Sequence, residues 1–190
     1  MSGHPLNDLC TRARLRRVWD RVSTTLVAGV ITLAPLQTIA VHEEQPHRRY
    51  GLPVAEKWLD KAQIMAPHHD YPAWDMFVPS GTPVFAAHAG TVKIVLAGEA
   101  CGNGLMIDGK DGFVYTYCHG TETLVDKGDE VKLGDKILIS GGTGSAERPH
   151  LHFDIRTQGD SKLCPQPLLL SWWKGEDAGP KTSTTHGCIS

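Results

Sequence analysis

"LMIDGKDGFVYTYCH", Leu105 to His119, holds two apolar runs separated by Gly109-Lys110-Asp111-Gly112. Glycine and aspartate are the residues a tight reversal needs, and the flanking runs are rich in β-branched and aromatic side chains, so the stretch reads as a β-hairpin. Upstream, "GTPVFAAHAGTVKIVLAG" (Gly81 to Gly98) alternates from Thr91 onward. That pattern predicts a strand with Val92, Ile94 and Leu96 on one face and Lys93 on the other. Downstream, "KGDEVKLGDKILIS" (Lys127 to Ser140) has two Gly-Asp corners bracketing short strands, and "HLHFDIRT" (His150 to Thr157) is a further strand. Between Met65 and Thr157 no segment has helical periodicity, and no period of about 20–50 residues marks a repeat array. The expected fold is mainly β, an antiparallel sandwich or open barrel.

The chain has 190 residues, enough for one domain with a core plus an attached segment. Nineteen Lys and Arg against 21 Asp and Glu leave a net charge of -2, so no basic surface advertises nucleic-acid binding. Twenty glycines and twelve prolines suit short strands with many turns. Residues 1–41 read as an address: Arg12, Arg14, Arg16, Arg17 and Arg21 precede the uncharged Val22 to Val41. A cationic flank before an apolar run is the pattern of an export signal peptide, or of an uncleaved signal anchor that would tether the chain to a membrane through residues 22–41. Residues 42–65 are polar and are expected to form a linker with at most a short helix around Val54 to Ala62. Beyond the β-rich region, residues 159–175 carry apolar bulk expected to pack as a short element, and 176–190 read as a flexible tail.

On a strand His150 and His152 point to one face while Leu151 and Phe153 point to the other, toward a core. Two imidazoles then meet one cleft, and their lone pairs suit zinc. A catalytic zinc site wants three protein ligands, so partners must come from elsewhere. "PHHDYPAWDM" (Pro67 to Met76) offers His68, His69, Asp70 and Asp75, and "YTYCHG" offers His119 at a strand end.

Residues 66–158 resemble the M23 family of zinc metallopeptidases, the lysostaphin-like or LytM-type peptidoglycan endopeptidases. The resemblance rests on ordered motifs: the His and Asp segment followed by GTPVFAAHAGTV, then GNGLMID, YTYCH, VDKGDEVKLGDKI and GGTGSAERPHLHF. It implies the duplicated-hybrid-motif β fold of that family and one zinc ion per chain. It implies His152 as a zinc ligand and His119 with His150 as the catalytic pair. The family's other ligands lie in a His-x-x-x-Asp pattern, from which this chain departs. Here His69 and Asp75 are the implied ligands, six positions apart, with His68 the competing residue and a small bulge around Pro72 expected to close the gap. The implied activity is hydrolysis of peptide bonds in peptidoglycan stem peptides or cross-bridges, by an exported protein of the cell envelope. The alternative is an inactive member of the fold that binds the wall or regulates another hydrolase.

Other features carry blander expectations. His88 in "AAHAG" reads as a turn residue, and Asp154 as a support at the site edge rather than a ligand. The glycines of "GGTGS" lack a following P-loop lysine and are expected to form a wall of the substrate cleft. A lipoyl- or biotinyl-type carrier fits the Gly-rich turns but leaves the paired histidines without purpose. None of the five cysteines shows C-x-x-C spacing. Cys101 and Cys118 fall near opposite ends of the expected hairpin, where they form either a disulfide or two free thiols, and Cys164 and Cys188 are a second candidate pair.

Overall fold

The computed structural model describes residues 48–65, 72–181 and 188. Residues 1–47, including the expected export segment, lie outside this set, as do 66–71. Among the described residues, nine strands form one antiparallel network: β1 (Trp74–Met76), β2 (Pro83–Phe85), β3 (Gly90–Gly98), β4 (Gly102–Gly109), β5 (Phe113–Thr123), β6 (Glu130–Val131), β7 (Lys136–Ser140), β8 (Leu151–Thr157) and β9 (Lys162–Leu163). The order is β1-β8-β5-β4-β3-β6, with β7 joining β5 to β2 and β9 flanking β8. The short helices are α1 (Lys61–Met65) and α2 (Gln166–Trp173), preceded by a 3-10 turn at Glu56–Trp58.

The expected hairpin is β4 and β5, with Asp108 opposite Val114. The Gly112 N–H closes the turn on the Gly109 carbonyl at 2.9 Å. Gly112 sits at φ 86°, a backbone conformation that a side chain would strain. Asp111 anchors the turn to the body by accepting from the Tyr115 hydroxyl at 2.6 Å and the Tyr50 hydroxyl at 3.2 Å. Strand β5 pairs with β4, β7 and β8, and every residue from Val114 to Gly120 is buried. This explains why its sequence is a nearly continuous apolar run rather than an alternating one.

Strand β3 differs from its expected facing. The register shifts between Val92 and Ile94, so Val92 pairs with Ile107, Ile94 with Met106 and Val95 with Leu105. Val92 is 1 % exposed and Val95 packs against the core, whereas Ile94 is 40 % exposed. A bulge inserts one residue and reverses the facing of the residues after it, which simple period-two counting misses.

Residues 48–65, expected as a linker, contribute Tyr50, Val54, Leu59 and Ile64 to the core. Tyr50 stacks between His88 (4.6 Å) and Trp172 of α2 (5.8 Å). Asp177, in the expected tail, binds Arg49 Nε and accepts from the Arg49 and Tyr50 backbone N–H groups at 2.8 and 3.1 Å. These contacts join segments 127–128 residues apart, so neither was visible as a local pattern. α2 buries Leu168, Leu169 and Trp172, as expected of a short packing element. Disulfides connect Cys101 to Cys118 and Cys164 to Cys188. Among the described residues no helix is long and apolar enough to cross a membrane.

Candidate active site

Strand β8 and His150 just before it alternate as the sequence predicts: Leu151 and Phe153 are fully buried in the core, and His150 and His152 line a cleft of about 490 Å³. Strand β1 lies beside it with Asp75 directly opposite His152. The Trp74 indole fixes this short strand by donating to the Gln63 carbonyl of α1 at 2.8 Å. His152 Nδ1 therefore lies 2.8 Å from Asp75 Oδ1, and His150 Nε2 lies 3.7 Å from the same oxygen.

His119 enters the cleft from β5. Cys118 pairs with His152 across the β5-β8 ladder, and the backbone then turns to φ 67° at His119. Positive φ is uncommon for a residue with a side chain and concentrates where function constrains the chain. The turn is tied twice to Cys101, by the His119 N–H on the Cys101 carbonyl at 2.8 Å and by the Cys101–Cys118 disulfide. It brings the His119 ring within 4.6 Å of His150 and 5.8 Å of His152. Gly141 faces His150 in an isolated bridge, and a Cβ there would stand 2.6 Å from Thr121 Cγ2. Glycine is what lets the end of β7 reach β5 closely enough to deliver His150 beside His119.

The hydrogen bonds set the ring faces. His119 Nδ1 contacts the Thr143 carbonyl at 2.8 Å and His150 Nδ1 the Arg148 carbonyl at 2.8 Å. A carbonyl only accepts, so both Nδ1 atoms carry a proton, and a ring protonated there alone presents an Nε2 lone pair. Burial lowers the pKa of His119 and the neighbouring His150 and His152 reinforce this, outweighing the Thr143 carbonyl; the neutral, proton-accepting form is favoured.

His152 stands between two carboxylates. Its Nε2 is 3.7 Å from Asp154 Oδ2, an ionic contact too long for a hydrogen bond. Burial lowers the His152 pKa, yet Asp154 and Asp75 outweigh it and raise the value, so positive charge is favoured at this position. Asp154 is buried, and Arg156 grips it through Nε at 2.7 Å and Nη2 at 2.8 Å. Burial alone would raise its pKa, but Arg156, His152 and Lys162 hold the carboxyl well below the usual range, and it stays ionised. Asp154, expected as a support at the site edge, has Arg156 as its partner. The usable signal was the period-two series His150, His152, Asp154, Arg156, which puts all four on one face.

Structure thus brings together Asp75, His119, His150 and His152. His69 and its competitor His68 lie in 66–71, outside the described residues, and the expected bulge around Pro72 falls partly there. Among the described residues no three His, Cys, Asp or Glu side chains complete a metal centre. Asp75 and His152 nevertheless present an oxygen and a nitrogen donor close enough for one ion to share, backed by a carboxylate on the imidazole's far side. That donor chemistry fits zinc. His88 is outside the cleft, buried under Tyr50 with Nδ1 2.6 Å from the Arg49 carbonyl. Of the stretch Gly141 to Ser145, whose glycines were expected to wall the cleft, Ser145 lines it and Ala146 follows, while the glycines are not among the lining residues.

An antiparallel β fold thus carries two imidazoles beside a His-carboxylate pair in one open cleft. The chain belongs to peptidase family M23, whose model matches residues 69–163. It is 34 % identical over 127 residues to the peptidoglycan DD-endopeptidase ShyA of Vibrio cholerae, covering 61 % of this chain and 28 % of that protein. It is 39 % identical over 84 residues to the lipoprotein NlpD of Yersinia enterocolitica, covering 43 % of this chain and 84 % of the other. The catalytic domain of the antimicrobial peptidase lysostaphin from Staphylococcus simulans superposes with a TM-score of 0.51 at 27 % identity, covering 65 % of this chain and 90 % of that domain. The chain thus spans little more than a quarter of ShyA's length.

Proposed function

We propose that this protein is a zinc-dependent endopeptidase of the cell envelope that hydrolyses peptide bonds in peptidoglycan stem peptides or cross-bridges. The observation that carries the reading is the convergence of Asp75, His119, His150 and His152 on one cleft. Support for the substrate comes from the similarity to a peptidoglycan DD-endopeptidase, and support for an oxidising, exported setting from the two disulfides.

Asp75, His152 through Nδ1, and His69 would hold the zinc, with His68 the competing third ligand. When bound, zinc supplies Lewis-acid polarisation of the scissile carbonyl and lowers the pKa of the attacking water. The protein supplies the proton handling. Nε2 of His119 or His150 accepts the water proton, and the same pair returns one to the departing amine. Their Nδ1 contacts to Thr143 and Arg148 keep the rings from turning, so each lone pair stays aimed at the cleft.

His150→Ala is expected to reduce turnover of purified peptidoglycan by at least about a hundredfold while zinc content stays at one per chain. Mass spectrometry of released fragments and metal analysis of the same sample check both. Zinc-free wild-type protein that releases no new peptide ends would instead favour the inactive, wall-binding or regulatory reading, with the lengthened His to Asp spacing as its cause.

A further inference from the structure

The cleft contains one cation with no carboxylate partner among the described residues. Arg156 is engaged by Asp154 and Asp160. Arg148 makes no ion pair there, even with its cleft-lining neighbour Glu147; its guanidinium lies 3.7 Å from the centroid of the Phe77 ring. Phe77 follows Asp75 by two positions, is 37 % exposed and stands 5.9 Å from the His150 ring. Both members of the pair also line the cleft.

The pair is set firmly at its base. The Arg148 carbonyl holds His150 Nδ1 at 2.8 Å, so its backbone position is tied to the candidate proton acceptor. On the other side Val78 is buried, and the Pro79 carbonyl accepts from the Ser140 hydroxyl at 2.8 Å and from the Thr82 hydroxyl at 2.7 Å. A guanidinium stacked on a ring uses its face, and its in-plane N–H donors remain free for a bidentate acceptor. Ordering the long side chain on Phe77 also removes part of the entropy that binding would otherwise cost.

We propose that Arg148, laid on Phe77, is a carboxylate-binding subsite, and that the peptide cleaved here carries a free carboxylate close to the scissile bond. This rests on the endopeptidase reading and adds a substrate class to it: an anionic peptide, with the carboxylate on a side chain or at a chain end. Arg148 is a specificity-determining residue in this scheme and takes no part in proton transfer.

The test uses the full chain and two pairs of cross-linked peptides. Within each pair one carboxylate is replaced by a carboxamide, on a side chain in one pair and at the C-terminus in the other. Calorimetric binding is measured alongside KM and kcat. Amidating the recognised carboxylate is expected to weaken binding and raise KM about tenfold with little change in kcat. Arg148→Ala should weaken the acidic peptide equally and leave the amide unaffected. Arg148→Lys should recover part of the loss, since an ammonium lacks the planar fork, and Phe77→Leu should fall between. The pair that shows the effect identifies the source of the carboxylate. Equal treatment of acid and amide by the wild type, an unchanged acid-to-amide ratio in Arg148→Ala, or no binding of any peptide overturns the proposal. Arg148-dependent binding of the acid without cleavage would retain the subsite and overturn the endopeptidase reading.

Discussion

His119 adopts φ 67° because β5 must pair with β8 through Cys118 and then turn an imidazole into the cleft within one residue. The cost of a left-handed residue is borne by the disulfide beside it and by the Cys101 and Thr143 carbonyls. His152 depends in a similar way on Asp154, whose charge is fixed by Arg156. Asp154→Asn keeps the shape and removes the charge behind the imidazole. Zinc affinity is expected to fall about 10- to 100-fold, measured by chelator competition. Unchanged affinity would mean that Asp154 serves only its pairing with Arg156.

At the scale of elements, the segment Arg48 to Gly51 is a strap laid over the β4-β5 turn and α2, and its fastening is polar. Burial pushes the Tyr50 phenol up to about 12, so it stays a neutral donor to Asp111 over any working pH. Partial burial acts to raise the Asp177 pKa, but the Arg49 side chain and the Arg49 and Tyr50 backbone N–H groups outweigh it and lower the value. A carboxylate stabilised in the folded state contributes fully above its unfolded pKa of about 3.9, and the contribution is lost as pH falls through the lower folded value. Asp177→Asn is therefore expected to lower the melting temperature by a few degrees at neutral pH. The gap from wild type should narrow below about pH 4 in a thermal-denaturation series. A gap independent of pH would assign the effect to the hydrogen bonds alone.

At the scale of the whole molecule, two disulfides close loops in the chain. Cys101 and Cys118 are 17 residues apart, and closing a loop of that size contributes about 3 kcal/mol through the unfolded chain. The double variant Cys101→Ser, Cys118→Ser should lose about that much stability in denaturant titration. It should also lose turnover beyond what unfolding explains, because Cys118 immediately precedes His119. Full activity in the folded variant would show that the carbonyls alone hold the imidazole. The bridge had two readings in the sequence, since only strand pairing decides whether cysteines at hairpin ends come within 4.9 Å between Cα atoms.

The sequence by itself determined the β class, the β4-β5 hairpin and the shared face of His150 and His152. Each arises from turn chemistry or from the period of two, which act between neighbours in the chain. It also supplied the order of motifs that marks the family. Only the tertiary structure decided that Ile94 faces outward, because a bulge depends on the partner strand. The burial of Tyr50, the seat of Asp177, the register of Asp75 against His152 and the stacking of Arg148 on Phe77 were likewise settled there. Each requires residues from distant segments to meet, and their geometry is set by packing that no local pattern encodes.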